Sequence, residues 1–92
     1  MDKIMVLNKE DNVAVVIKDK ICKETVVTLK SGDSIHVLED IPFGFKIALK
    51  YIKKGEIIVK YGVSIGKATI DIDKGVMVHI HNVEGLRGRG DL

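Results

Sequence analysis

The chain has 92 residues, which is enough for one domain and too few for two. Its 15 basic and 13 acidic residues leave a net charge of +2, and its aromatics are two Tyr and two Phe, so neither charge nor stacking surface favours a nucleic-acid partner. A single cysteine excludes an internal disulfide. The charged N-terminal stretch lacks the apolar core of a signal peptide, and the chain has no apolar run of about 18 residues that could cross a membrane. The sequence therefore predicts a cytoplasmic protein with no membrane partner.

Short runs rich in Ile and Val recur along the chain, separated by polar or glycine-containing turns. Strands at this density, without long helices between them, predict an all-β, barrel-like or clip-like fold in a single domain over residues 1–92. In chain order the predicted strands are Ile4–Leu7, Val13–Ile17, Thr25–Leu29, Ile35–Leu38, Ile57–Lys60, Ile65–Ile70 and Val76–Ile80. His36, within the fourth of these strands, is expected to lie on the strand surface.

The stretch from Phe43 to Ile52 fits two descriptions. Phe43, Ile47 and Tyr51 are spaced four residues apart, as in an amphipathic helix of about three turns. The alternative is a strand followed by a turn, because the same stretch takes part in a repeat.

That repeat places an isoleucine three residues before a glycine. It predicts a recurring turn in which the isoleucine fills the core and the glycine takes a backbone angle that other residues resist. The three copies are Ile41 with Gly44, Ile52 with Gly55, and Ile72 with Gly75.

Two histidines, His79 and His81, follow Val78 at a spacing of two. If the last strand continued through them, both imidazoles would lie on one face, with Cα atoms roughly 6–7 Å apart. Such a pair can serve a metal ion or an anionic ligand, but two nitrogens alone leave a metal shell incomplete. The alternative is a solvated surface.

Polar residues continue after the histidines. Asn82 can cap a turn through its side-chain amide, or it can hydrogen-bond a substrate hydroxyl or carboxylate. Arg87 and Arg89 can clamp a carboxylate between them, or they can form a flexible basic tail.

Taken together, an ordered series of short motifs resembles the N-terminal SAF-type domain of the altronate and galactarate dehydratases. The resemblance covers nearly the whole chain, and each motif alone is weak. The series runs Asp40-Ile41-Pro42-Phe43-Gly44, Lys46-Ile47-Ala48-Leu49, Ile52-Lys53-Lys54-Gly55-Glu56, Lys60-Tyr61-Gly62, Ile65-Gly66-Lys67-Ala68, Asp71-Ile72-Asp73-Lys74-Gly75 and Val78-His79-Ile80-His81-Asn82.

The resemblance implies a compact β-clip fold and a part in a hydro-lyase that removes water from a sugar acid. Enzymes of this family typically use a divalent metal such as Fe²⁺, and most carry a much larger catalytic region or subunit. The chain is therefore expected to be a small subunit or N-terminal domain that is not active alone. Its expected partners are a larger catalytic lyase subunit and a sugar-acid substrate, at a composite active site.

The same resemblance implies roles for individual residues. His79 and His81 match the family's His-x-His-Asn motif and are the candidate catalytic residues and the candidate metal ligands. Asn82, Arg87 and Arg89 are the candidate substrate-binding residues. One position departs from the family pattern, because Phe45 stands where a histidine usually follows the glycine of the Asp40–Gly44 turn.

A rival hypothesis is a stand-alone module that binds carbohydrate or a sugar acid without catalysis. In that case the histidines form only a polar patch. Exposed strand edges in a small β fold also favour self-association, so a homo-oligomer is a further expectation.

Overall fold

The computed structural model describes residues 3–85, and within that range the chain forms nine strands and no helix. All paired strands are antiparallel. The predicted all-β class is confirmed. The strands are β1 (Ile4–Met5), β2 (Val13–Val16), β3 (Val26–Thr28), β4 (Ser34–His36), β5 (Lys46–Ala48), β6 (Ile57–Lys60), β7 (Val63–Ala68), β8 (Met77–Val78) and β9 (Val83–Glu84).

The strands form three small sheets. One has four strands in the order β1-β2-β5-β8, one is the β3-β4 hairpin, and one has three strands in the order β6-β7-β9. The helix considered for Phe43–Ile52 is wrong, since that stretch contains β5 and the strand-plus-turn alternative is confirmed. None of the segments between residues 3 and 85 is a helix long and apolar enough to cross a membrane.

The four-stranded sheet separates two apolar clusters, because successive side chains of a strand point to opposite faces. On β5, Ile47 belongs to the first cluster and Ala48 to the second; on β2, Val16 and Val13 divide in the same way. The β3-β4 hairpin contributes Val27 and Ile35 to the first cluster, which also contains Val37 and Ile41. Ile58, Ala68 and Ile72 belong to the second cluster.

The structure repeats itself with a shift of 31 residues, from Ile21 to Ile52 and from Ile41 to Ile72, since the bridge Ile21–Ile41 has its counterpart in Ile52–Ile72. Side-chain contacts repeat as well. The amide of Lys23 donates to Asp40 at 2.7 Å, and the amide of Lys54 donates to Asp71 at 2.8 Å. The same shift relates Lys46 to Met77 and Ile47 to Val78, and β5 and β8 pair with each other through these four residues.

The turns that recur in the sequence have the predicted form. Ile41, Ile52 and Ile72 are buried, and the glycines that follow them have φ angles of +88°, +88° and +91°. The repeat exposes a fourth copy that the glycine pattern misses, because Glu24 takes the same place after Ile21 with a φ of +76°. The glutamate side chain there pairs with His36, which lies exposed on β4 as expected.

Candidate functional site

The His-x-His-Asn motif forms a tight turn between β8 and β9, and Asn82 holds that turn together. Its side-chain oxygen accepts the His79 amide at 2.9 Å, and its side-chain nitrogen donates to the Met77 carbonyl at 2.9 Å. Its own amide donates to the His79 carbonyl, and its carbonyl accepts the Thr69 amide. Asn82 is only 1% exposed, so it caps the turn from the inside.

The prediction that the last strand reaches Ile80 is wrong. β8 ends at Val78, because the buried Asn82 amide captures the backbone groups that a strand would offer to its neighbour. His79 and His81 therefore do not lie side by side on a strand face. Residues 79–82 turn, and the two imidazoles have different surroundings.

His79 is half-buried and packs on Phe45. Their ring centroids are 4.4 Å apart, with an angle of 45° between the ring planes. The contact follows from register: Lys46 pairs with Val78, so the preceding and following residues, Phe45 and His79, meet across the same two strands. The position at which the family pattern has a histidine is thus in direct contact with the first histidine of the motif.

His81 and Ile80 point outward from the tip of the turn. His81 is exposed, and Ile80 is 83% exposed, the largest exposed fraction among the large apolar side chains of the described residues. The Thr69–Asn82 hydrogen bond brings the end of β7 alongside, and Ile70 is exposed there as well. The turn therefore presents imidazole and aliphatic groups together to the outside of the domain.

The residues of the turn do not make a metal centre by themselves. Over residues 3–85, no group of three or more His, Cys, Asp or Glu side chains converges in a way that could hold a metal ion. Glu84, the acidic residue that follows the turn, lies exposed on β9. Arg87 and Arg89, the candidate carboxylate clamp, lie outside the described residues.

A cavity of about 320 Å³ lies elsewhere, between β1 and β3. Its lining is mainly apolar, with Ile4, Met5, Val27 and Leu29, and it includes none of the candidate site residues. Size alone therefore does not select the functional site in this domain.

Two lysines of the quoted motifs, to which the sequence assigned no role, have unusual surroundings. Lys46 on β5 is half-buried, and burial, followed by the charge of Lys60, lowers its pKa from the usual 10.5. Lys60 ends β6 and holds its ammonium group 5.5 Å from the centre of the Tyr61 ring. Aligning the two halves of the repeat would have revealed both residues, because their counterparts, Met77 and Leu29, are apolar.

The strands and their turns define a small β-clip domain with a histidine-containing turn at its surface. The chain belongs to the altronate/galactarate dehydratase SAF domain family, which matches residues 2–86.

Two kinds of relative share this domain. The chain is 40% identical over 84 residues to the altronate dehydratase of Bacillus subtilis, a match that spans 91% of this chain and 16% of that protein. It is 42% identical over 72 residues to the altronate dehydratase of Escherichia coli, across 78% of this chain and 14% of the relative. It is also 41% identical over 63 residues to the (2R)-sulfolactate sulfo-lyase subunit alpha of Paracoccus pantotrophus, across 67% of this chain and 94% of that subunit.

The chain thus spans about a sixth of the altronate dehydratases it matches and nearly all of the matched sulfo-lyase subunit. The same domain occurs both as a small part of a long polypeptide and as a short subunit.

Proposed function

We propose that this chain is the SAF-domain part of a sugar-acid hydro-lyase and that its His79–Asn82 turn completes an active site built mainly by a larger catalytic polypeptide. The observation that carries the proposal is the double occurrence of the domain, once within long altronate dehydratases and once as a short lyase subunit. A cytoplasmic location is part of the same proposal.

The geometry of the turn supports a composite site. A general base needs a neighbour that orients it and a substrate held within hydrogen-bond reach. Between residues 3 and 85, His79 and His81 have no carboxylate hydrogen bond that would orient either ring. Ile80 between them exposes an aliphatic surface that a partner polypeptide would cover.

The chemistry fits imidazole. Dehydration of a sugar acid removes a proton from the carbon next to the carboxylate and expels a hydroxyl group from the following carbon. A histidine titrates near neutral pH, so it can accept that proton or protonate the departing hydroxyl. We assign this proton transfer to His81, which is exposed, and a positioning contact with the substrate to His79, which Phe45 holds in place.

A divalent metal such as Fe²⁺ stays a proposal. Since no three His, Cys, Asp or Glu side chains of the described residues converge, a metal in the assembled lyase would take most of its ligands from the larger polypeptide. Asn82 as a substrate ligand also stays a prediction, although both polar ends of its side chain already bond the backbone.

The test is a chimera in which residues 1–85 of this chain replace the matching segment of the B. subtilis altronate dehydratase. We expect the chimera to dehydrate altronate. Replacing His81 by Ala should then lower kcat by about 10²-fold or more, as is typical when a general acid–base group is lost.

The matched control is His36→Ala, which removes an exposed histidine on β4 outside the turn and should leave kcat unchanged. Full activity of a chimera that lacks both His79 and His81 would sink the catalytic role. An active chimera of that kind would favour the rival hypothesis, a domain that binds or assembles without taking part in the chemistry.

A further inference from the structure

The internal repeat gives Lys46 and Lys60 apolar counterparts. A shift of 31 residues relates Lys46 to Met77 and Leu29 to Lys60, as it relates the bridge at Ile21 to the bridge at Ile52. Met77 and Leu29 pack against the first apolar cluster. The second cluster therefore has two lysines at the positions equivalent to those where Met77 and Leu29 complete the first cluster.

Strand geometry puts both lysines on the side of the second cluster. Lys46 alternates with Ile47, so it shares a face with Ala48, which belongs to that cluster. Lys60 shares a face with Ile58 on β6, because the irregularity in that hairpin inserts its extra residue, Ile65, into β7. Asn12, immediately before β2, fixes the position of the end of β6: the Val59 amide donates to the Asn12 side-chain oxygen, and the Asn12 amide donates to the Val59 carbonyl.

Neither lysine has an acidic partner within the part of the chain that the structure describes. Both are half-buried, and burial, followed by the charge of Lys60, lowers the pKa of Lys46. Packing alone would be served better by the methionine and leucine at the equivalent positions of the repeat. Two partly desolvated ammonium groups on the side of the second cluster, with no salt bridge to a carboxylate in the described range, are instead suited to an anion.

We propose that Lys46 and Lys60 form a binding site for a small oxyanion, with a carboxylate as the group they hold. The site itself stands on the geometry of this chain. The identity of the ligand as a sugar acid rests on the proposed function, whereas a side-chain carboxylate of a partner polypeptide is the other source of the same group.

The experiment is an NMR titration of the 92-residue chain with sulfate, acetate and altronate in turn, with chloride adjusted to hold the ionic strength constant. The signals followed are the lysine side-chain methylenes next to the ammonium groups. We expect saturable shifts at Lys46 and Lys60 with sulfate, together with a rise in the pKa of Lys46 as the anion offsets the repulsion. Lys74, exposed in a turn, serves as the control lysine.

The key variant is the double substitution Lys46→Met and Lys60→Leu, which copies the apolar residues at the equivalent positions beside the first cluster and so should keep the fold. It should weaken sulfate binding by roughly tenfold or more, the loss expected for charge-assisted hydrogen bonds. Lys74→Met should leave the affinity unchanged.

Shifts at Lys46 and Lys60 no larger than those at Lys74, or equal binding by the double variant, would overturn the site. Tighter binding of altronate than of acetate supports a sugar-acid ligand, and equal binding of the two supports a carboxylate site of the kind a partner side chain would fill. An inactive chimera combined with saturable binding here would reject the proposed function and keep this site.

Discussion

Asn82 shows how one buried side chain sets the form of the candidate site. Its amide satisfies the His79 N–H and the Met77 carbonyl, and both would be left without a partner if the side chain were removed. We expect Asn82→Ala to lower the free energy of unfolding by about 2–6 kcal/mol, since each of the two unsatisfied groups costs about 1–3 kcal/mol. Urea unfolding monitored by circular dichroism measures the change.

The control for that variant lies one residue earlier. His81 is exposed and makes no hydrogen bond that holds the turn, so His81→Ala should change stability by no more than about 0.5 kcal/mol. A loss of stability in His81→Ala as large as that in Asn82→Ala would contradict this account of the turn.

Asp71 couples the stability of its turn to pH. The Lys54 amide, and then the Tyr51 hydroxyl, donate to its carboxylate and hold its pKa below the usual 3.8. The unfolded chain therefore binds the proton more readily, so the stabilisation is present above pH 3.8 and is lost as the pH falls through the lower pKa of the folded state. Urea unfolding from about pH 5 to about pH 2 should show this loss.

Asp71→Asn should reduce that acid sensitivity. Asp73→Asn is the matched control, because the Asp73 side chain makes no hydrogen bond to the backbone in the described range. Identical pH profiles for the two variants would show that the Lys54 contact does not carry the effect.

The isoleucine-to-glycine turns of the repeat share one backbone conformation, but the space around their glycines differs. A Cβ added at Gly44 would enter open space, whereas one added at Gly75 would overlap the His36 carbonyl oxygen. Gly44→Ala should cost about 1–2 kcal/mol, the penalty for a side chain at positive φ. Gly75→Ala should cost clearly more, or prevent folding, and thermal unfolding of the two proteins side by side measures the difference.

How much of each element the sequence predicts depends on where the hydrogen bonds go. Ile57–Lys60 was predicted with the bounds of β6, because apolar residues and a following glycine turn agree there. The predicted strand Val76–Ile80 is longer than β8, because apolar Val78 and Ile80 alternate with His79 as they would in a strand. The Asn82 side chain, four residues after Val78, ends the strand by hydrogen-bonding to its backbone. Alternation of apolar and polar residues describes only where side chains point. It does not reveal that the Asn82 side chain hydrogen-bonds to the backbone of Met77 and His79.

At the scale of the whole molecule, the repeat was only partly visible in the sequence. Three of the turns are recognisable from the glycine that follows Ile41, Ile52 or Ile72. The fourth has Glu24 in place of the glycine, so the sequence does not reveal the shift of 31 residues between Ile21 and Ile52. The candidate anion site was missed for the same reason. Lys46 and Lys60 are ordinary surface residues in sequence, and they become unusual only beside their apolar counterparts.

Ile80 links the domain to the larger assembly that we propose. It is 83% exposed, so Ile80→Asp should leave the thermal stability of the isolated chain unchanged. In the chimera with the B. subtilis catalytic region, the same substitution should lower altronate dehydration, because a charge would enter a surface that the larger polypeptide covers. Val26→Asp on β3, exposed to 61%, is the matched control and should leave that activity unchanged. Equal activity of the Ile80→Asp and parent chimeras would place the contact between domain and catalytic region on another face of the β-clip.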